Sequence, residues 1–285
     1  MTDCKMLGNK PDYAKFKQFY RDTIQQISKD SFYRRAVNHK FVHSIEVLHT
    51  GEKILRNTPE LQNMSDEFCD YARKALLFHD VGRFRENLLR YQADLCEQKI
   101  SAVSDVFDHC VLGYEELKQI QEYNDLRILF AVRYHGKMME DVKKSEMWQM
   151  VEKSSQKEDI LNILYLVRDA DKLANLLHIK NDGHLKKDLF YKQLSEPNRK
   201  GPLSDEVRAQ FYDKKTILFS TVQTYADRVL MVLSWVFDFN YRYAVKAFYE
   251  NGYGKFLFDE LQQYHSDSAD IKRIERILQS EFEGH

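Results

Sequence analysis

Glycine and proline are scarce in this chain, and their scarcity limits the folds that are open to it. The 285 residues contain ten glycines and four prolines, whereas the two together make up about 12% of average proteins. No alternating strand pattern flanks an Asn-Gly or Asp-Gly turn, and Asp182-Gly183, for example, lacks β-branched neighbours. The chain is therefore predicted to be all-α, with long helices and few tight turns.

Charge and hydropathy exclude several classes of function. The 43 basic residues nearly balance the 44 acidic ones, so no electrostatic argument favours nucleic acid as a partner. The most apolar stretch, VLMVLSWVF at 229–237, lies between Arg228 and Asp238 and is too short to cross a bilayer. We therefore expect neither a nucleic-acid partner nor a membrane partner.

The cysteines and the N-terminal segment indicate the compartment. Four cysteines (Cys4, Cys69, Cys96 and Cys110) are widely scattered, without a CxxC spacing, as is typical of proteins in a reducing environment. The first residues, MTDCKMLGNKPDYAKFKQ, are polar and contain no apolar core of a signal peptide. The protein is predicted to be cytoplasmic.

A proline-rich stretch gives the clearest domain boundary. The segment QLSEPNRKGPLSDE, 193–206, holds two of the four prolines and separates two helical regions. Residues 86–104 are polar and irregular, as in a lid or an insertion. We predict an N-terminal helix at 1–30, a core at 31–180, a linker at 181–202 and a C-terminal helical extension at 203–285.

The stretch ALLFHDVGRF, 75–84, ends an apolar helical run with a histidine beside an aspartate. Burying an aspartate without a partner costs several kcal/mol or forces it to become neutral. His79 and Asp80 therefore either reach water at a helix end or bind a cation together. The second alternative requires that the helix stops at Gly82, so that both side chains can reach one ion.

Three further histidines fall on apolar helical faces, at about 100° per residue. His43 shares a side with Val47 and Ile54. The other two lie on later helices: His109 is on the face formed by Val106, Cys110, Gly113, Leu117 and Ile120, and His135 follows Ile128, Ala131 and Val132. Gly113 would let another backbone or a ligand approach closely.

The helix that contains LYLVRDADKLAN offers two aspartates. Asp171 is about 40° from Val167, on the apolar face, whereas Asp169 is about 160° away. The periodicity predicts that Asp171 is the buried one, with Asn175 one turn later beside it. Burying this many histidines and aspartates would be unfavourable without a partner for their polar atoms. Imidazoles and carboxylates are the ligands of Mn, Fe, Co, Ni or Zn. The pattern predicts a metal centre.

In order and context these residues resemble the HD-domain superfamily, whose dinuclear branch has ligands in the order H…HD…H…H…D. Their surroundings here are HSIEV, LLFHDVGRF, DHCVLGYEEL, VRYHGK and RDADKLAN. The resemblance covers about 43–178 and implies an all-α HD bundle with the metal at its centre. The ligands that it implies are His43, His79, Asp80, His109, His135 and Asp171.

The resemblance also implies a chemistry: hydrolysis of a phosphomonoester or phosphodiester of a nucleotide-like small molecule by metal-bound hydroxide. Two divalent ions are expected, from Mn, Fe, Co, Ni or Zn, with Mg as a further candidate and Asp80 as the bridging ligand. Arg83 is a candidate for contacting phosphate or for a surface ion pair, and Lys172 and Arg133 are weaker candidates for the same role. The expected partner is a phosphorylated small molecule.

Two departures from the family narrow this expectation. The chain lacks the glycine-tyrosine-proline signature of cyclic-dinucleotide phosphodiesterases and the nucleotidyltransferase-like domain of alarmone enzymes. The extension at 203–285 remains a candidate for a substrate wall or for the surface of a homodimer. A sensor that binds a nucleotide without turnover and a di-iron oxygenase of the same superfamily stay open as alternative functions.

Overall fold

The structure, a computed structural model, describes residues 11–96 and 107–284. Within these ranges the chain forms helices and loops, with no strand. The prediction of an all-α fold is confirmed. Cys4, the first ten residues of the predicted N-terminal helix, and Val106 lie outside the described residues.

The helices up to the end of the family-like region are α1 (Pro11–Ile24), α2 (Phe32–Asn57), α3 (Pro59–Gln62), α4 (Asp66–Phe78), α5 (Gly82–Leu95), α6 (His109–Lys118), α7 (Leu126–Tyr134), α8 (Met139–Val142), α9 (Glu146–Lys153) and α10 (Lys157–Asp182). They are followed by α11 (Leu189–Gln193), α12 (Glu196–Lys200), α13 (Asp205–Tyr212), α14 (Tyr225–Leu233), α15 (Arg242–Glu250), α16 (Tyr253–Gln262) and α17 (Ser268–Gly284). Short 3-10 turns occur at His184–Lys186, Phe219–Thr221 and Ser234–Asp238.

Side-chain caps explain where several of these helices begin. The Ser31 hydroxyl accepts a hydrogen bond from the Tyr33 amide at the start of α2, and the Ser65 hydroxyl accepts one from Phe68 at the start of α4. Asp108 and Asp125 cap α6 and α7 in the same way. Such caps satisfy amides that have no partner inside the helix. They set the first residue of each helix that carries a candidate ligand in this part of the chain.

The chain divides into two compact units, and the division lies inside α10, between Ala170 and Asp171. This is ten residues before the predicted end of the core at 180. The predicted linker, 181–202, contains the short helices α11 and α12, because Asp188 and Ser195 each cap a helical turn. The predicted domain boundaries themselves remain predictions.

In the first unit, five helices pack pairwise around the HD pair. The pairs in contact are α2 with α4, α2 with α5, α4 with α7, α5 with α6 and α6 with α7. Phe16 of α1 is fully buried and contacts Phe78 just before the pair and Phe84 just after it, with ring centroids 5.6 and 5.4 Å apart. Aromatic packing therefore fixes both ends of the segment that carries His79 and Asp80.

The predicted lid at 86–104 is wrong for its first half. Residues 86–95 belong to α5, which begins at Gly82 and ends at Leu95. Ion pairs along the helix support it, because Arg83 and Arg90 both pair with Glu86. Residues 97–106 lie outside the described residues.

Gly82 begins α5 where two backbones come into direct contact. A Cβ atom on Gly82 would lie 2.0 Å from the His109 carbonyl oxygen and 2.4 Å from the Gly113 amide nitrogen. A Cβ on Gly113 would in turn lie 3.2 Å from the Gly82 nitrogen. The close approach expected at Gly113 is thus an approach of backbone, and it places the start of α6 beside the HD pair.

The second unit begins at Asp171 and is built around α14, which packs against α16. The helix α14 begins with a capping box, in which Thr224 and Asp227 exchange side-chain and backbone hydrogen bonds. It contains the start of the most apolar stretch of the sequence, and the 3-10 turn Ser234–Asp238 contains the rest. Across the described ranges, we find no helix with the length and apolarity needed to cross a membrane.

We predict that Gly82→Ala destabilises the protein by about 3 kcal/mol, because the added methyl group overlaps backbone that has no room to move. The control is Gly136→Ala, whose Cβ would meet no atom within 4 Å and which should change stability by less than about 1 kcal/mol. Urea unfolding of both variants measures the difference. Equal stability of the two variants would show that α5 and α6 are not in close contact.

Candidate metal centre

The HD pair lies at a corner between two helices. The helix α4 ends at Phe78, His79, Asp80 and Val81 form the corner, and α5 begins at Gly82. The first helix therefore stops before the pair, at Phe78, four residues before Gly82, where the sequence analysis expected it to stop. His79 is fully buried and Asp80 is 3% exposed, so the pair does not reach water at a helix end.

Two of the histidines have their ring orientation fixed by the backbone. His79 Nδ1 is 2.9 Å from the Leu76 carbonyl oxygen, and His135 Nδ1 is 3.1 Å from the Val132 carbonyl oxygen. A carbonyl only accepts, so each Nδ1 carries a proton, and Nε2 is the ring atom turned towards Asp80. Both Nε2 atoms lie 3.7 Å from an oxygen of Asp80. Histidines that bind a metal through Nε2 typically donate the Nδ1 proton to a backbone carbonyl in this way.

The other two predicted histidines complete a row of four rings. His43 of α2 is fully buried, and its ring centroid is 5.6 Å from that of His79. His109 is the first residue of α6, and its ring centroid is 5.6 Å from that of His135. The His79 and His135 rings, in the middle, are 5.2 Å apart. The four predicted histidine ligands are therefore brought together in the first unit.

The two carboxylate oxygens of Asp80 face different parts of this row. Oδ2 is 3.7 Å from His79 Nε2, whereas Oδ1 is 3.3 Å from His109 Nε2 and 3.7 Å from His135 Nε2. Candidate ligand atoms of His43, His79 and Asp80 all lie within 4.8 Å of one another. The same holds for His109, Cys110 and His135. Asp80 lies where these two groups meet.

Electrostatics keeps the central carboxylate ionised. Burial alone would raise the pKa of Asp80, but the positive charge of Lys40 and the neighbouring His79, His135 and His109 rings hold it well below its usual value. Burial lowers the pKa of His109 well below its ordinary value and so favours the neutral ring, against the pull of Asp80. An ionised carboxylate beside the neutral His109 ring suits a divalent metal. At His135, burial would lower the pKa of the ring, but Cys110 and Asp80 outweigh it and raise that pKa well above its ordinary value.

These donors fit a divalent transition metal. Asp80 Oδ1 is buried and accepts no hydrogen bond from the part of the chain that the structure describes, although a buried carboxylate oxygen without a partner is costly. The surrounding donors are imidazole nitrogens and carboxylate oxygens, which suit ions of the first transition series. His43, His79, Asp80, His109 and His135 would hold such ions.

Three residues near the centre were missed by the sequence analysis. Lys40 Nζ is 2.8 Å from Asp80 Oδ2, and Cys110 Sγ is 3.3 Å from His109 Nε2. Asp108 caps α6 through Cys110 N and also pairs with Lys137, two residues after His135. Lys40 could have been predicted near the centre, because it lies one helical turn before His43. Asp108 could have been predicted as a helix cap, because it lies directly before α6.

The predicted phosphate-binding arginines already have acidic partners. Arg83 Nη1 is 2.8 Å from Glu86, and its Nε is 3.6 Å from Asp80 Oδ1. Arg133 Nη1 is 3.7 Å from Asp108. Arg83 thus lies beside the centre, as the resemblance implies, but it also makes the ion pair that the sequence left open. Its role towards phosphate remains a prediction.

The helix α10 reverses the expected burial of its two aspartates. Asp169 is fully buried and Asp171 is only partly buried. All five residues from 166 to 170 are buried, which is more than one helical turn, so this helix has no single inward face for a periodicity argument to find. The prediction that Asp171 is the more buried aspartate is therefore wrong.

Asp171 and Lys172 belong to the second unit, where both have partners. Asn175 Nδ2 donates to Asp171 Oδ1 at 2.9 Å and so orients its carboxylate, as neighbours of carboxylate ligands do. Lys172 Nζ is 2.7 Å from Asp238 Oδ2. The ligand role of Asp171 and the phosphate-binding role of Lys172 remain predictions.

Comparison with known families agrees with the geometry. Residues 41–176 match the family model of the HD domain. This segment is therefore an HD domain, the domain that defines a superfamily of metal-dependent phosphohydrolases. Neither the curated proteins nor the solved structures contain a significant match to the chain. The family match indicates the class of domain, and the geometry of the site is the basis for proposing a particular reaction.

We expect Asp171→Asn to lower the metal content of the purified protein and Asp169→Asn to leave it near that of the wild type. The family motif assigns the ligand role to Asp171, and an amide lacks the negative charge that a metal ligand supplies. Metal analysis per folded protein measures the difference, with thermal unfolding as a check on both variants. The opposite ranking would identify Asp169 as the ligand.

Proposed function

We propose that this protein is a phosphohydrolase that cleaves a phosphomonoester or a phosphodiester of a nucleotide-like small molecule. The observation that carries the proposal is the arrangement at Asp80, where one buried, ionised carboxylate lies among four histidine rings. Membership of the HD superfamily supports the reaction class. The nearly balanced charge of the chain argues against a polymeric nucleic acid as the substrate.

The residues of the chain prepare this centre before any substrate arrives. The Leu76 and Val132 carbonyls hold the His79 and His135 rings with Nε2 turned towards Asp80. Divalent ions bound there would lower the pKa of a water molecule and neutralise negative charge on the phosphoryl group. Rings that are already oriented need little reorganisation when charge develops in the transition state.

We propose that the centre holds two ions, bridged by Asp80. His43 and His79 face one side of the carboxylate, and His109 and His135 face the other. Asp171, from the family motif, completes the ligand set. The ions are from Mn, Fe, Co, Ni or Zn, with Mg as a further candidate.

The surroundings of the centre support a charged substrate and a reducing compartment. Arg83 lies beside Asp80 and is proposed to contact phosphate there. The cysteines in the described ranges, Cys69, Cys96 and Cys110, are free thiols, as is usual in the cytoplasm. We propose a cytoplasmic location, a phosphorylated small molecule as the partner and a homodimer as the candidate assembly.

The function is tested by metal analysis followed by a panel of phosphoester substrates, with Mn, Fe, Co, Ni and Mg added back in turn. We expect the wild type to release phosphate or a phosphomonoester from at least one substrate. Asp80→Ala should lose both metal and activity, because its carboxylate serves both groups of histidines. Full metal content in Asp80→Ala would contradict the assigned centre.

Two other results would identify a different function. Tight nucleotide binding with intact metal and no product indicates a sensor. Bound iron, an absorption band of a mixed-valent pair and no release of phosphate indicate an oxygenase. Either result overturns the proposed hydrolase.

The second ion makes its own prediction. His109→Ala and His135→Ala should each lower the metal content from about two ions per chain towards one, since each removes a ligand from the same side of Asp80. Turnover should fall at least about a hundredfold. His49→Ala, which changes a partly buried histidine outside both groups, should keep two ions. A wild type that binds only one ion when saturated would show that the centre is mononuclear.

A further inference from the structure

Lys40 lies at this centre, and the proposed metal binding and hydrolysis do not explain why a lysine is there. It lies on α2, three residues before His43, and its side chain is 22% exposed. Its Nζ is 2.8 Å from Asp80 Oδ2, and the same oxygen faces His79 Nε2 at 3.7 Å. A metal ion held by His43, His79 and Asp80 would be bound by this oxygen too. Lys40 and that ion therefore compete for the charge of one carboxylate.

The other cations nearest to the centre are compensated elsewhere. Arg83 and Arg90 share the carboxylate of Glu86, at 2.8 and 3.0 Å. Arg83 also lies 3.6 Å from Asp80 but has Glu86 as a second acidic partner, whereas the ion pair that Lys40 makes within the described ranges is the one with Asp80. Once Asp80 binds divalent ions, the charge of Lys40 lies next to like charge without a carboxylate of its own. A largely buried ammonium group in that position favours an anion beside it.

We infer that Lys40 is a phosphate-binding residue of this site: it weakens metal binding at Asp80, and its ammonium group binds the phosphoryl oxygens of the substrate. The inference rests on the proposed function, since it assigns an anion of that class. Lysine suits this role, because its ammonium is a mobile point charge with three donors on a flexible stem. The partial exposure of Lys40 leaves the group free to turn from Asp80 towards a ligand at the centre.

Coupling between the two ligands follows from this arrangement. An anion that binds Lys40 removes the charge that opposes the metal, so phosphate and metal should each strengthen the binding of the other. Phosphate that contacts the metal directly would also contribute to this coupling, so the part that belongs to Lys40 is the part that Lys40→Met removes. The coupling can be measured in the wild type without any substitution.

The test uses the full chain, with Lys40→Met as the variant and Lys53→Met as the control. Lys53 is an exposed lysine on the same helix, α2. Titration calorimetry measures Mn²⁺ affinity of the protein stripped by chelator, and then inorganic phosphate affinity of the Mn²⁺-saturated protein. We expect Lys40→Met to bind Mn²⁺ about tenfold more tightly and phosphate about tenfold more weakly. Lys53→Met should match the wild type in both.

Two results would overturn the inference. One is Mn²⁺ affinity that falls or stays the same in Lys40→Met, and the other is phosphate affinity that does not change. If circular dichroism shows that Lys40→Met does not fold, Lys40→Gln replaces it in both titrations. Phosphate that fails to tighten Mn²⁺ binding by the wild type also overturns the inference. Failure of the hydrolase proposal is distinct, because it appears as a lack of turnover in the substrate panel.

Discussion

The carboxylate of Asp80 is almost completely buried, and the side chains that surround it in the first unit compensate its charge. An isolated buried carboxylate would lose several kcal/mol of hydration or would become protonated. Here an ammonium group lies 2.8 Å from one of its oxygens, and imidazole nitrogens lie 3.3 to 3.7 Å from both. Asp80 therefore remains ionised, and an ionised carboxylate among imidazole nitrogens is a ligand set that a divalent metal ion can bind.

This arrangement depends on backbone contacts as much as on side chains. Gly82 and Gly113 allow α5 and α6 to meet without an intervening Cβ, which carries His109 to within 3.3 Å of Asp80. The Asp108 cap joins the start of α6 to Lys137, next to the turn that holds His135. Small residues and caps thus determine the distances between ligands whose identity the motif already indicates.

The sequence by itself determined the helical class and the main candidate ligands. Scarce glycine and proline left little alternative to helices, and the apolar periodicity around His43, with Val47 and Ile54, identified side chains that are indeed buried. That argument works for α2 because this helix has one apolar face and one polar face. The order of the histidines and of the HD pair added the family, which the match over 41–176 supports.

Only the tertiary structure decided which residues surround Asp80 and at what distances. From the sequence, Lys40 resembles an ordinary surface lysine, and only folding brings it to Asp80. Folding likewise brings His135 to Cys110, which already follows His109 in the sequence. Periodicity failed for Asp169, because α10 is covered on all sides between 166 and 170. A helical period describes one chain segment, whereas burial and charge compensation are set by the neighbours that folding brings from distant parts of the sequence.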